Sequence, residues 1–369
     1  MLYDPRVHEP LTDEPWNVER VSAAIRAIVA DAEESFDDGW PTHPADQDEV
    51  LPPWARLRTV YLGGAGVVDA LRRLQERGLV ELERDYFQYL ERSLTEPADF
   101  PDEDAQRSFW IGEVGIRLVL ERLAPSAANR DELAGLIGAN ARDERRELMW
   151  GSPGTMLAAR ELGLDGLWEE SAAWLREQRD ADGVWEQNLY GQRHRFLGPA
   201  HGWAGCVLAL GDGTGVADAA RRFAVEEDGL ADWPPFAGGD LVSSNRDGSI
   251  RTQWCHGAPG IVASLAGFLD EELGLAGGEL TWQAGPLVKG ANLCHGTAGN
   301  AYALLALFTR TGDERWLGRA RAFAMHALGQ VDRARSTTGQ GRYTLWTGDP
   351  GTALYLADWL DGRGEPPLP

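Results

Sequence analysis

Two Cys-His-Gly tripeptides hold two of the three cysteines in this sequence. They are Cys255-His256-Gly257 and Cys294-His295-Gly296. Thiolate and imidazole groups are ligands that zinc accepts, and two cysteines with one histidine leave a tetrahedral ion one position short. An open position distinguishes a catalytic zinc from a structural one. The pair therefore predicts a zinc site that can take a further ligand, and the residue types alone do not decide which histidine takes part.

The composition excludes several classes of function. A formal net charge of −23 argues against binding to nucleic acid or to an anionic membrane, since both need a basic face. No apolar run reaches the roughly 20 residues of a membrane span, and the first residues lack the pattern of a secretory signal. Three cysteines fit a reducing compartment, which predicts a cytoplasmic protein. The one lysine, Lys289, lies five residues before Cys294, which favours a role near the metal.

A Gly-x-x-Gly pattern recurs seven times at intervals of roughly 40 to 55 residues, and the Cys-His-Gly segments belong to it. The copies are Gly63–Gly66, Gly112–Gly115, Gly151–Gly154, Gly202–Gly205, Gly257–Gly260, Gly296–Gly299 and Gly348–Gly351. Each copy is followed by an apolar stretch rich in small residues, as in residues 261–269 and 300–308. Such stretches are typical of buried helices. Seven helix starts at regular spacing predict seven equivalent structural units.

Amphipathic segments with helical spacing separate these copies. The clearest are residues 21–36, 82–94 and 316–328. The alternation of an amphipathic helix with a buried one, seven times, predicts an all-α (α/α)7 toroid in which the Gly-x-x-Gly segments begin the inner helices. We expect one domain over residues 1–369, with residues 1–17 as an N-terminal extension and loops at 37–53 and 229–250. Free N–H groups at the starts of the inner helices are expected to favour negative charge.

The sequence resembles the lanthionine synthetase C-like (LanC-like) family from about Tyr61 to Asp361. The most specific stretches are Gln253-Trp254-Cys255-His256-Gly257-Ala258-Pro259-Gly260 and Leu293-Cys294-His295-Gly296-Thr297-Ala298-Gly299-Asn300-Ala301-Tyr302. Members of the family are similar zinc-containing (α/α)7 toroids. The cyclases add a peptide cysteine to dehydroalanine or dehydrobutyrine, and the eukaryotic-type members use glutathione as the thiol. The signature around Cys255 and the presence of Lys289 resemble the eukaryotic-type branch.

The resemblance implies a role for particular residues. Cys255, Cys294 and His295 match the Zn²⁺ ligands, which leaves His256 without an assigned role. His201 matches the proposed acid/base histidine, and Arg251 matches a catalytic arginine.

Three further positions bear on the substrates. Glu147 falls where cyclases have an aspartate and eukaryotic-type members a glutamate. Lys289 matches a lysine near the thiol substrate, and residues 342–348 align with a glutathione-contacting stretch. Thr347 departs from the eukaryotic-type pattern, which has Glu there. Cys206 is expected to pack in the core, with a fourth zinc ligand as the alternative.

These expectations describe a zinc-dependent conjugate addition of a thiol to a dehydroamino acid in a peptide or protein, with glutathione or a peptide cysteine as nucleophile. His201 would move the proton, and Arg251 or helix-end N–H groups would stabilise the enolate. The alternative is a non-catalytic zinc-binding toroid that serves as a scaffold or binding protein. An α/α-toroid glycosidase would need paired carboxylates, and the repeats supply only Glu113 and Asp349. We expect a monomer with no nucleic-acid partner.

Overall fold

The computed structural model of the protein describes residues 2–47, 52–100, 102–238, 248–361 and 368. This part of the chain is mostly helical, which confirms the predicted helical class. Its fifteen α-helices are α1 (Val18–Glu34), α2 (Gly64–Glu76), α3 (Phe87–Ser93), α4 (Glu103–Gln106), α5 (Glu113–Leu123), α6 (Ala127–Asn140), α7 (Ser152–Glu161), α8 (Asp165–Glu177), α9 (Trp203–Leu210), α10 (Val216–Phe223), α11 (Ala258–Leu265), α12 (Glu271–Ala284), α13 (Thr297–Thr311), α14 (Glu314–Thr338) and α15 (Asp349–Asp361). Short 3₁₀ turns lie at Pro5–Val7 and Pro44–Asp46.

Two antiparallel hairpins interrupt the helices, and the sequence analysis did not anticipate them. One pairs β1 (Gln187–Leu189) with β2 (Gln192–His194), and the other pairs β3 (Val225–Glu227) with β4 (Leu230–Asp232). Each turns through two residues with positive φ, Tyr190-Gly191 and Asp228-Gly229. The expected loop at 229–250 is therefore a strand over its first residues, and residues 239–247 of it lie outside the described part.

Seven helices are buried along almost their whole length, and they are the ones that follow the Gly-x-x-Gly starts. They are α2, α5, α7, α9, α11, α13 and α15, and each contacts the next in this order. The last of them, α15, also contacts α2. The helices between them, such as α1 and α8, bury one face and expose the other. This succession brings the starts of distant helices together.

The second glycine of each start is required by a close approach of the backbone. A Cβ at this position would clash with the carbonyl oxygen six residues earlier in all seven copies, for example with that of Trp254 at Gly260 and that of Leu293 at Gly299. A side chain would therefore push the incoming loop away from the helix. The loops before these helices carry the predicted site residues, so the glycines hold the site against the helix starts.

Arginine side chains form ion pairs that connect the buried helices. Arg122 of α5 bonds Asp69 of α2 and Glu161 of α7, and Arg77, which directly follows α2, pairs with Asp358 of α15. Three arginines around Asp69, whose side chain is buried, hold the pKa of its carboxyl well below the usual range despite burial. These ion pairs connect the first helix of the succession with the last one.

Candidate active site

The two cysteines lie in the loops that precede α11 and α13, and the backbone holds these loops side by side. The N–H of Cys255 donates to the carbonyl of Cys294 over 3.0 Å, and the N–H of Cys294 donates to the carbonyl of Trp346 over 2.9 Å. Both cysteines are buried, and each thiol is close enough to change the pKa of the other. Cys255 and Cys294 are 39 positions apart in the sequence, but they are neighbours where the starts of α11 and α13 meet.

Each thiol acts on the pKa of the other, and the two effects are opposite. The interaction with Cys255 lowers the pKa of Cys294 well below its usual range, against the effect of burial, and His295 and Tyr61 lower this pKa further. The interaction with Cys294, together with burial, raises the pKa of Cys255. The negative charge of the pair is therefore favoured on Cys294.

Two residues that the sequence analysis did not select bond the sulfur atoms. The hydroxyl of Tyr61 donates to Sγ of Cys294 over 3.0 Å, and Nε2 of Gln253 donates to Sγ of Cys255 over 2.9 Å. The Oε1 of Gln253 lies 3.5 Å from Nζ of Lys289, so the amide connects the lysine to the cysteine. Tyr61 stands two residues before its glycine, as Cys255 and Cys294 do, and this register was the signal that could have identified it.

A cluster of buried aromatic rings lies next to these sulfur atoms. The ring centroids of Trp346 and Trp254 are 4.6 Å apart, and those of Trp346 and Trp110 are 4.4 Å apart. Tyr61 stacks on Trp110 with a centroid distance of 5.7 Å. All three tryptophans are fully buried. The rings fill the space between the helix starts, and they fix the Tyr61 hydroxyl on Cys294.

His201 and Glu147 form the second polar pair of the site. Nδ1 of His201 lies 2.8 Å from Oε2 of Glu147, whose side chain is fully buried. The Glu147 carboxylate also accepts the N–H groups of Met149, Trp150 and Gly151 just before α7. Three backbone N–H groups and the imidazole therefore hold the carboxylate in place, and the carboxylate in turn orients the imidazole.

The pKa of His201 reflects two opposing effects. Burial lowers it, but the hydrogen bond to Glu147 and the charge of that carboxylate outweigh burial and raise it above the usual value. The charge of Cys294 acts in the same direction, which shows that the imidazole lies within electrostatic reach of the thiol pair. A partly exposed histidine whose pKa is raised can act as a general acid.

His256 lies beside His201, with their ring centroids 6.3 Å apart. Phe196 packs against both rings, at 6.1 Å from His201 and 6.4 Å from His256. Burial, followed by the positive charges of His201, Arg251 and Lys289, lowers the pKa of His256 to about 3. Its imidazole is therefore neutral. Phe196 and the aromatic contacts of His256 were not foreseen from the sequence.

Arg251 and Lys289 are both exposed, and their charges reach the site. The charge of Lys289 lowers the pKa of the Cys255 thiol, and both charges act on His256. In a chain with a net charge of −23, two cations beside the thiols favour an anionic group at this place.

At six of the seven inner helices, N–H groups at the helix start are already used, contrary to the expectation that they are free for negative charge. Carbonyls seven residues earlier accept them at Gly64, Trp203, Thr297 and Asp349. Carboxylates take this role before α7, where Glu147 accepts, and at Ala258 of α11, where Asp232 accepts. The expectation was wrong at these starts because the incoming loops, or carboxylates next to them, cover the N–H groups. Side chains are therefore the main groups that can meet negative charge on a substrate there.

The donor set for a metal is present in part. Both Cys255 and His295 act on the pKa of Cys294, so the three predicted ligands lie in one neighbourhood. Among the residues that the structure describes, no group of three or more His, Cys, Asp and Glu side chains is arranged to hold an ion. Two neighbouring thiols and an adjacent imidazole match zinc in ligand chemistry. Cys206 lies elsewhere, buried in α9, with Sγ donating to the Arg146 carbonyl.

Comparison with known proteins agrees with the geometry. The profile described as "Lanthionine synthetase C-like protein" matches residues 58–365. The chain belongs to this family. It is 33% identical over 182 residues to "Glutathione S-transferase LANCL1" of Danio rerio, which covers 46% of the chain and 44% of the relative. It is 31% identical over 189 residues to "LanC-like protein GCL1" of Arabidopsis thaliana, which covers 45% and 40%.

The similarity to these two eukaryotic relatives spans less than half of each of them. Among solved structures, the chain matches "Nisin cyclase" with a TM-score of 0.56 and 16% identity, over 93% of this chain and all of that one. At this identity the match shows the fold alone. The LanC-like assignment made from the sequence is confirmed. Among the described residues, no helix is long and apolar enough to cross a membrane.

Proposed function

We propose that this LanC-like protein catalyses the zinc-dependent addition of a thiol to dehydroalanine or dehydrobutyrine residues, which forms a lanthionine-type thioether. The observation that carries the proposal is the position of an imidazole with a raised pKa, that of His201, within electrostatic reach of the Cys255–Cys294 thiol pair. A conjugate addition needs a thiolate and a proton donor at one place, and these groups suit both needs.

The proposed zinc ligands are Cys255, Cys294 and His295. Three protein ligands leave a tetrahedral zinc one position for a substrate thiol. When bound, zinc lowers the pKa of such a thiol, so that a thiolate is available at neutral pH.

The residues of the chain would then act as follows. The substrate sulfur forms a bond with the β-carbon of the dehydro residue, and the π electrons of the double bond move to the carbonyl oxygen as an enolate. His201, held by Glu147, donates its proton to the α-carbon, and the carbonyl re-forms. The proton of the substrate thiol returns to His201 or to solvent. The net reaction adds the thiol across the double bond, and nothing leaves.

The cations are proposed to place the substrates. Lys289, connected to Cys255 through Gln253, would bind a carboxylate of the thiol substrate. Arg251 would stabilise the enolate, since its charge already acts on the neighbouring His256. The name of the Danio rerio relative, a glutathione S-transferase, favours glutathione as the thiol. A peptide cysteine is the other source, and the dehydrated peptide or protein is the partner in both cases.

We further propose that the seven buried helices form the inner ring of an α/α toroid in a single domain, with the predicted site at one mouth. The closed succession of contacts from α2 to α15 and back to α2 supports this arrangement. The cysteines of the described chain are all free thiols, which fits a reducing compartment such as the cytoplasm.

Incubation of the zinc-loaded protein with a peptide that contains dehydroalanine tests the proposal. With glutathione, the peptide should gain one glutathione per dehydro residue by mass spectrometry. A peptide with its own cysteine should lose that free thiol without a change in mass. Cys294→Ala should lose zinc and activity, whereas His201→Gln should keep zinc and lose activity. A protein that binds zinc and modifies neither peptide would contradict catalysis and favour the scaffold alternative.

A further inference from the structure

His256 has no role in the steps above, although its place in the chain is equivalent to that of two residues that do. His201, His256 and His295 each stand directly before the first glycine of consecutive helix starts. Glu147 holds the first of them, and Cys294 contacts the third. His256 lies between these neighbours at the same mouth.

The two ring nitrogens of His256 have different surroundings. The residue is partly exposed, but Nδ1 is buried and has no hydrogen-bond partner. Among the described residues Nε2 has no hydrogen-bond partner either, but it is not fully buried, so it lies on the accessible side of the ring. A buried N–H without an acceptor is rarer and less favourable than a buried acceptor without a donor. Because a proton on Nδ1 would be such a buried N–H, the ring carries its single proton on Nε2, on the accessible side.

The surroundings of this N–H leave it available to a substrate. Phe196 packs against the rings of both His256 and His201, and the two rings lie 6.3 Å apart. Arg251 is close enough for its charge to act on His256. The backbone N–H groups at the start of α11, which could have taken the same role, include that of Ala258, and Asp232 occupies it.

We propose that His256 is a hydrogen-bond donor that binds, through Nε2–H, the carbonyl oxygen of the dehydroamino acid during thiol addition. The inference rests on the proposed function and adds a donor for the enolate. As the sulfur bonds to the β-carbon, the electron pair moves to this oxygen, and the hydrogen bond from Nε2 strengthens. No proton leaves His256. The proton for the α-carbon comes from His201. In this arrangement His256 binds the developing negative charge, and His201 transfers the proton.

Three substitutions test this role, because they separate the two ring positions. Glutamine places an amide N–H near the position of Nε2, asparagine places one near Nδ1, and phenylalanine keeps a ring without a donor. We expect His256→Phe and His256→Asn to lower kcat by about 10²- to 10³-fold, as the loss of one oxyanion donor does, and His256→Gln to stay within about tenfold of wild type. Zinc content, measured for each variant, should not change. The pH dependence of kcat should keep its shape, because His256 transfers no proton.

A second measurement does not depend on activity. Two-bond ¹H–¹⁵N correlation spectra of the full-length protein report which nitrogen of His256 carries the proton, with His256→Gln used to assign its signals. We expect Nε2–H. A proton on Nδ1, an active His256→Phe variant, or an asparagine variant that surpasses the glutamine variant would overturn the inference while leaving the proposed function intact. A wild-type protein that adds no thiol to any dehydro peptide would refute the proposed function itself, and with it this role.

Discussion

Replacing Glu147 by Gln tests whether one buried carboxylate both holds His201 and begins α7. The carboxylate accepts the N–H groups of Met149, Trp150 and Gly151 and bonds the imidazole. Glutamine keeps the size of the side chain and removes its charge. The NH₂ group of the glutamine must then face another hydrogen-bond donor. The reason is that the three backbone N–H groups and the protonated imidazole of His201 surround this side chain.

The expected loss of stability has two parts. The contacts with the backbone N–H groups at the helix start contribute about 1–2 kcal/mol. The bond to His201 contributes about 1.5–3 kcal/mol when the imidazole is charged and about 1 kcal/mol when it is neutral, so about 0.5–2 kcal/mol depends on pH. Glu147 raises the pKa of His201. The pH-dependent part is therefore complete below the unfolded pKa of about 6.5, and it is lost as the pH rises through the raised folded value.

Urea unfolding at about pH 5 and about pH 9 measures both parts. We expect Glu147→Gln to lower the free energy of unfolding by about 2.5–5 kcal/mol at the lower pH and by about 2–3 kcal/mol at the higher one. Glu33→Gln is the matched control, since buried Glu33 accepts the N–H groups of Glu83 and Arg84 and bonds no histidine. The loss of unfolding free energy in Glu33→Gln should be the same at both pH values. An equal loss at both pH values for Glu147→Gln would refute the coupling to His201.

Two further predictions concern the thiol pair and the helix starts. Tyr61→Phe removes the hydrogen bond to Cys294 and should raise the pKa of that thiol, so that alkylation of the zinc-free protein shifts to higher pH. Tyr89→Phe, which removes a buried hydroxyl without a partner, should leave the alkylation profile unchanged, and an unchanged profile for Tyr61→Phe would contradict the assigned bond. Gly299→Ala should destabilise the protein by about 3 kcal/mol or more in thermal unfolding, because its Cβ would meet the Leu293 carbonyl. Gly318→Ala, on an exposed face of α14 with open space around it, should stabilise by about 0.5–1 kcal/mol, and a similar result for both would argue against the close approach at Gly299.

The helical class could be predicted from the repeat, and the meeting of Cys255 with Cys294 from their register. Both cysteines stand two residues before the first glycine of a helix start, and the loops that carry them lie side by side. The contact between Glu147 and His201 does not follow from this rule, because the two residues stand at different distances from their glycines. The segment at 82–94 shows where periodicity misleads. Its helix begins only at Phe87, because the N–H groups of Glu83 and Arg84 bond the carboxylate of Glu33 instead of joining a helix.

The path of the loops could not be read from periodicity. The carbonyls that cover the helix starts depend on how each loop folds back, and no local pattern in the sequence records this. The second hairpin, in contrast, carried a signal that was overlooked. Asp228-Gly229 is a favoured two-residue turn, and both residues have the positive φ that such a turn requires. The turn of the first hairpin has Tyr190 where Asn, Asp or Gly is usual, so its sequence gave a weaker indication.

The contact between α2 and α15 has a consequence for the order of events during synthesis. The chain emerges from the ribosome starting at its N-terminus, so α2 is available long before its partner. Until α15 arrives, the face of α2 that contacts it remains uncovered, and Arg77 cannot pair with Asp358. The early helices must therefore persist with an apolar face exposed, a state in which binding by a chaperone would have its greatest effect. Folding of this protein is complete only when α15, one of the last elements to be made, packs against α2.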